Sequence, residues 1–395
     1  MPLIKSARIE SIDILRGLVM VLMALDHVRD YFHINAFTSN YPENMESTNI
    51  ILFGTRFITH FCAPVFVFLA GTSAFLYGQK KTKGQLSKFL ITRGLWLIFV
   101  EIVVNNFLWW FDPSFGFTNL QVIWAIGVCM IALGIMIYLP KRIILALGLL
   151  IVIGHNALDG IVMKGDSLKS IFWYFLHQSN GISYAENRYL WFSYPVLPWI
   201  GVMLLGYCFG ELYKKDASVN IRLKRLLYIG ITCILLFFVL RGINYYGDLM
   251  PWSYQATTEK TIISFFNATK YPPSLVYLLM TLGPALLFLY GIENIKNGLT
   301  NFLVVFGRVP FFYYILHILV IHLGALIGLL ITGKDWKLMI LDNETMESGV
   351  LHGYGYSLFT VYIIWIVIVL ILYPLCKKYM LYKLNNKDKW WLSYL

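Results

Sequence analysis

The residues with the chemistry to do more than fill a membrane are Arg16, Asp26, His27, Arg29 and Asp30, all inside one apolar run near the start of the chain. A charge within a membrane span costs at least about 2.5 kcal/mol unless it snorkels, pairs or faces water. A helix with this many is therefore not lipid-exposed all round. Arg16 and His27 stand eleven positions apart, close to three full turns, so they share a face about 16 Å apart along the axis. Met20, Met23 and Asp30 fall near the same stripe. His27 and Asp30 are placed to touch at i,i+3, and Asp26 can pair with Arg29 on the adjacent face. Arg56 and His60 open the second apolar run at a depth similar to His27. Together these groups describe a polar chamber between the first helices. The bland alternative for Arg29, Asp30 and Arg56 is an interfacial helix end.

A later run carries Arg308, His317 and His322. The two histidines are five apart, an offset near 140° on a helix, so they do not share one face. Glu101, Asn105 and Asn106 lie in the third run, where they would line the chamber or bind helices together. No HExxH spacing or clustered cysteine pattern is present, and no metal is expected. A Walker loop, a dinucleotide glycine fingerprint and a nucleophile elbow are also absent. A polar chamber of this kind serves either catalysis or, in a transporter or flippase, the passage of a polar or amphipathic solute.

The elements that must hold these residues follow from composition. The 395 residues are 58% hydrophobic and 13% charged, about half the charge of a soluble domain. Apolar runs fall near 12–32, 56–77, 89–111, 120–139, 143–158, 191–212, 226–240, 275–291, 309–330 and 356–379. Most are long enough to cross about 30 Å of hydrocarbon. The expected fold is all-α: one polytopic membrane domain over 1–395 with about ten transmembrane helices. The segments 170–177 and 262–271 are too short to cross and are expected at the interface. The first run has no cleavage site and is expected to stay as helix one.

Placing the N-terminus in the cytoplasm puts twenty lysines and arginines in cytoplasmic segments and eight on the far side. Lys5 and Arg8, the Lys80–Arg93 cluster, Lys141 and Arg142, the 214–225 cluster, Lys296 and the C-terminal lysines make up the larger set. That bias is the positive-inside rule, with both termini inside. The formal charge of +11 is thereby a topology signal, and nucleic acid is not an expected partner. The five cysteines are scattered and form no disulfide framework.

The run Ser11–Phe32 (SIDILRGLVMVLMALDHVRDYF) resembles the signature of bacterial membrane proteins related to heparan-alpha-glucosaminide N-acetyltransferase. Four further blocks do the same: THFCAPVFVFLAGTSAFL at Thr59–Leu76, YPVLPWIGVMLLGYCFG at Tyr194–Gly210, KYPPSLVYLLMTLGP at Lys270–Pro284 and GRVPFFYYILH at Gly307–His317. Arg16 and His27 also match the arginine, ten residues, histidine pattern of the wider transmembrane acyltransferase superfamily. The resemblance implies a transmembrane acyltransferase-like fold. It also implies transfer of an acetyl or other acyl group from cytoplasmic acyl-CoA to a sugar hydroxyl or amine across the membrane. On that reading Arg16 and Arg308 hold the CoA phosphates, as arginine suits. His27 is the general base, and Asp26 or Asp30 orients its ring. Arg29, His60 or Asn106 would stabilise the oxyanion; Arg29 is also a candidate for the donor site, and His60 for catalysis. The implied setting is the bacterial cytoplasmic membrane, with acyl-CoA, a glycan-like acceptor, membrane lipids and a second copy in a homodimer as partners.

Overall fold

The protein is described by a computed structural model covering residues 9–38 and 40–393; Lys5 and Arg8 lie outside the described residues. Helices run in the order α1 (Glu10–Phe32), α2 (Ile50–Thr59), α3 (Cys62–Gly78), α4 (Lys83–Phe99), α5 (Asn106–Trp110), α6 (Val122–Met136), α7 (Lys141–Gly154) and α8 (Leu168–Leu176). They continue with α9 (Val196–Phe209), α10 (Val219–Ile243), α11 (Thr258–Phe266), α12 (Leu275–Ile292), α13 (Gly298–Arg308), α14 (Pro310–Ile331), α15 (Asn343–Glu347) and α16 (Leu358–Asn385). The protein is an all-α polytopic membrane protein.

Each expected span contains helix. Among the described residues, seven helical stretches are long and apolar enough to cross a membrane: 50–78, 141–158, 196–213, 219–243, 275–292, 310–331 and 358–385. Length and composition do not by themselves carry the expected count of ten. The other three differ in kind: α1 is too charged, α6 has only 15 residues, and α4 has 17 before the helix widens to π geometry at Val100–Asn105 and continues into α5.

The charged helix is the central one. α1 packs against α2, α3, α12, α13, α14 and α16, and buries Asp13, Asp26 and Arg29 among its apolar residues. Large apolar side chains are instead exposed on the flanks of α10 and α16, among them Leu235, Phe238, Phe359 and Leu370. Close crossings bring the core together. A Cβ on Gly17 would stand 1.9 Å from the Leu303 carbonyl oxygen, and one on Gly307 1.8 Å from that of Asp13. α3 and α9 meet in the same way at Gly71 and Gly206. These small residues let backbones approach as membrane helix pairs require.

Several boundaries differ from the sequence reading. The second span begins earlier, at Ile50, and breaks between α2 and α3. Pro64 has no N–H to return to the His60 carbonyl; the Tyr277 hydroxyl donates to that oxygen instead, at 2.7 Å. The third span starts at Lys83 behind a Thr82–Gln85 capping box. Trp191 and Phe192, expected in the sixth span, belong to a strand. β1 (Phe117–Leu120) pairs in parallel with β3 (Arg188–Phe192), and β2 (Asn180–Ala185) pairs antiparallel with β3. The two short segments expected outside the bilayer core are α8 and α11, nine residues each.

Gly307→Ala forces backbone atoms apart and is expected to lower the thermal midpoint of the detergent-solubilised protein, at an overpacking cost of about 1–3 kcal/mol. Gly291→Ala is the control: a Cβ there meets nothing within 4 Å, and the midpoint should stay within error or rise.

Candidate active site

At the end of the bundle where α1 finishes, a cavity of about 770 Å³ opens among α1, α2, α3, α5, α14 and the loops beside them. Its walls carry Asp26, Arg29, Asp30, Glu43, Arg56 and Lys270, three carboxylates against three cations, together with His27 and His60. Arrangement within this set follows from the cost of burial. A buried carboxylate without partners is expensive by several kcal/mol, and pairing with well-placed donors offsets most of that.

Asp26 is the hub. Its Oδ2 accepts from Arg56 Nη1 at 2.6 Å and its Oδ1 from Thr59 Oγ1 at 2.9 Å, while Arg29 Nη2 stands 2.5 Å from Oδ1. Arg29 also reaches Asp30 at 2.9 Å, as a helix-end pair would. Arg56 Nε donates to Glu43 Oε1 at 2.5 Å. Burial pushes the Glu43 carboxyl up, but Arg56 outweighs it and holds the group at about 2. The backbone around Glu43 is fastened from the opposite side: Asn267 Nδ2 donates to the Glu43 carbonyl oxygen and Lys260 Nζ to those of Met45 and Thr48.

The hydrogen-bond partner of His27 is neither Asp26 nor Asp30. Both carboxylates are engaged by arginine, and His27 Nδ1 lies 2.7 Å from His317 Nε2. His317 Nδ1 in turn lies 3.0 Å from the Tyr313 carbonyl oxygen. A carbonyl oxygen only accepts, so His317 Nδ1 carries the hydrogen and, in the neutral ring, its Nε2 holds a lone pair. His27 Nδ1 must then donate to it. The neutral His27 ring is left with a lone pair on Nε2, on a residue that lines the cavity. Trp109 packs edge-on to the His27 ring at 4.9 Å between centroids and restricts its rotation.

His322 does not join this pair. Its ring nitrogens face the Leu108 and Met339 carbonyl oxygens, and Phe111 stacks on it. It is a packed core histidine. His60 lies on the cavity wall with its side chain buried, and neither ring nitrogen has a hydrogen-bond partner. Glu43 is 3.9 Å away, too far for a hydrogen bond.

Arg16 and Arg308 occupy the other end of α1. Arg16 donates to Asp13 Oδ1, the Gly307 carbonyl oxygen and Ser73 Oγ, and Arg308 Nε approaches Asp13 Oδ2 at 3.4 Å. Arg29 is thirteen residues from Arg16, about 20 Å along the helix, and belongs to the cavity cluster. The three arginines named for the donor are thus two at one end and one at the other.

Glu101 and its neighbours bind helices together. Glu101 Oε1 accepts from Asn105 Nδ2, and Oε2 accepts from the Trp124 N–H in the first turn of α6. Asn106 exchanges hydrogen bonds with the backbone of Asn119, fixing β1 beside the cavity. Asn106 is not on the cavity wall, whereas Asn119 is.

All five sequence blocks quoted above send a residue to this wall: His27, His60, Tyr194, Lys270 and Tyr314. Sequence reasoning did not find Glu43, which carries no signal beyond its sign. Nor did it join His317 to His27, although His317 closes the last of the quoted blocks.

The sequence model described as "Heparan-alpha-glucosaminide N-acetyltransferase, catalytic" matches residues 8–246, more than half the chain. The chain belongs to that family. Its matched segment contributes Asp26, His27, Arg56 and His60 to the cavity, and the remainder of the chain contributes Lys270, Tyr271 and Tyr314. Comparison with curated proteins gives no match.

Arg56→Ala leaves Asp26 and Glu43 each short of a cation and is expected to destabilise the fold by about 3–5 kcal/mol, read by thermal unfolding. The Glu43 pair also has a pH signature. The carboxyl lies at about 2 when folded against an ordinary 4.5, so its contribution is complete above about 4.5 and is lost as the pH falls towards about 2. Glu43→Gln should flatten that part of the stability–pH curve.

Proposed function

We propose that the protein transfers an acetyl group from acetyl-CoA to a hydroxyl or amine of a sugar-like acceptor bound in the cavity beside His27. Family membership supports the reaction class. The observation that carries the residue assignment is the His27–His317–Tyr313 series, which leaves His27 Nε2 as the basic nitrogen.

The reaction then runs as direct transfer. His27 Nε2 takes the proton of the acceptor O–H or N–H as the acceptor's own oxygen or nitrogen lone pair attacks the thioester carbonyl carbon. His317 Nε2 receives the hydrogen bond from His27 Nδ1 and steadies the imidazolium that forms. The tetrahedral intermediate collapses with cleavage of the C–S bond, and the CoA thiolate takes the proton back from His27. His60, buried beside the cavity and without a partner for either ring nitrogen, is the candidate donor to the developing oxyanion. Arg29 is held by Asp26 and Asp30 and sets the charge of the wall rather than reaching for the thioester. Asp26 and Asp30 hold the arginines and so position the site.

The donor enters from the opposite end. The loop charge bias assigns the end of α1 that carries Arg16, with Arg308 beside it, to the cytoplasmic side of a bacterial inner membrane, where arginine suits the phosphates of CoA. About 16 Å of α1 separates Arg16 from His27, a distance suited to an extended thiol-bearing arm.

His27→Ala should abolish acetyl transfer by the purified protein while acetyl-CoA still raises the thermal midpoint; Arg16→Ala should weaken that stabilisation. A ligand at a hundred times its Kd stabilises a folded protein by about 2.7 kcal/mol. Full turnover by His27→Ala contradicts the base assignment. Absence of any stabilisation of the wild type by saturating acetyl-CoA contradicts the donor and favours solute transport.

A further inference from the structure

A second group of histidines lies outside the cavity. α7 ends at Gly154, and the chain continues through a tight turn at His155–Leu158 to Asp159. It then passes through α8, whose last turn delivers His177 back against the same turn. The ligand atoms of His155, Asp159 and His177 all lie within 4.8 Å of one another. None of the three lines the cavity described above.

The imidazoles are buried, at 2% exposure for His155 and 3% for His177, and none of their four ring nitrogens has a hydrogen-bond partner. His177 Nε2 and Asp159 Oδ1 are 3.2 Å apart but not aligned as donor and acceptor. A buried unsatisfied polar group costs about 1–3 kcal/mol, so two buried imidazoles without a hydrogen bond, beside a carboxylate, leave a cost that a shared ligand would remove.

We propose that His155, Asp159 and His177 form a binding site for a divalent transition-metal ion of the Zn²⁺ class. Bonds of about 2.0–2.2 Å from a tetrahedral ion to nitrogen and carboxylate oxygen put neighbouring ligand atoms about 3.3–3.5 Å apart, close to the spacing already present between His177 and Asp159. One nitrogen of each ring and one carboxylate oxygen supply three ligands, and the fourth position is open to water. Two imidazoles among three ligands select against Mg²⁺ and Ca²⁺, which prefer oxygen. Asn156 Nδ2 donates to Asp159 Oδ2 at 2.8 Å, which holds the other oxygen ready. The bound ion staples the end of α7 to the end of α8. Asn156 extends the effect, because its Oδ1 accepts from the Leu275 N–H at 2.9 Å, at the start of α12 just beyond the cavity residues Lys270 and Tyr271.

The test uses the full-length protein in detergent, stripped with a chelator and titrated with Zn²⁺ by calorimetry, with Co²⁺ as a spectroscopic probe. One ion per chain should bind, the thermal midpoint should rise, and Co²⁺ should give visible d–d bands that Zn²⁺ bleaches. His177→Gln and Asp159→Asn, which keep polarity and approximate volume, should each weaken Zn²⁺ binding at least tenfold. A wild type that binds no stoichiometric Zn²⁺ and gives no Co²⁺ bands overturns the proposal, as does unchanged affinity in both variants. These readouts do not involve acetyl transfer, so the outcome is independent of the proposed reaction.

Discussion

The structure depends on keeping an ionised helix in the middle of an apolar bundle. α1 is surrounded by six other helices, and the cost of burying its Asp26 there is offset by Arg29, Arg56 and Thr59. Desolvating an ion pair is unfavourable in isolation. The arrangement persists because several donors converge on one carboxylate, and because Arg56 is shared onward with Glu43. That network ties α1 to α2 and to the loop over the cavity.

The same constraint separates position from chemistry on α1. The carboxylates nearest His27 are engaged with guanidinium groups, so the ring turns to α14 and hydrogen-bonds to His317. Replacing a carboxylate by a neutral imidazole as the orienting group keeps the pair free of net charge inside the membrane. At the opposite end of the helix, Asp13 organises Arg16 and Arg308 beside the Gly17 and Gly307 crossing. One helix therefore carries an aspartate–arginine end and a histidine end, connected by its own rigid length.

Much of this was legible in the amino-acid sequence. Runs of apolar residues gave the helices to within a few residues at most ends, and the i,i+3 spacing of Asp26 and Arg29 gave their pairing. The break between α2 and α3 was not read, although Pro64 removes the N–H that would have returned to the His60 carbonyl. The small sheet was not legible, because strands of four to six residues with mixed polarity have no period to set them apart from loops. Partnerships across long separations were also hidden. Nothing local to His27 says that its partner lies 290 residues away. Likewise His155 and Asp159 sit four apart, yet His177 reaches them only because α8 folds back, and the sequence reading expected no metal.

The central claim is that His317 fixes His27 with its hydrogen on Nδ1 and its lone pair on Nε2. Nitrogen-15 NMR of the histidine rings, with His27 and His317 assigned by single substitutions, reads this directly. Both neutral rings should show a protonated Nδ1 and an unprotonated Nε2, with a hydrogen-bond coupling between His27 Nδ1 and His317 Nε2. A hydrogen resident on His27 Nε2, or rings that exchange freely between tautomers, would contradict the account.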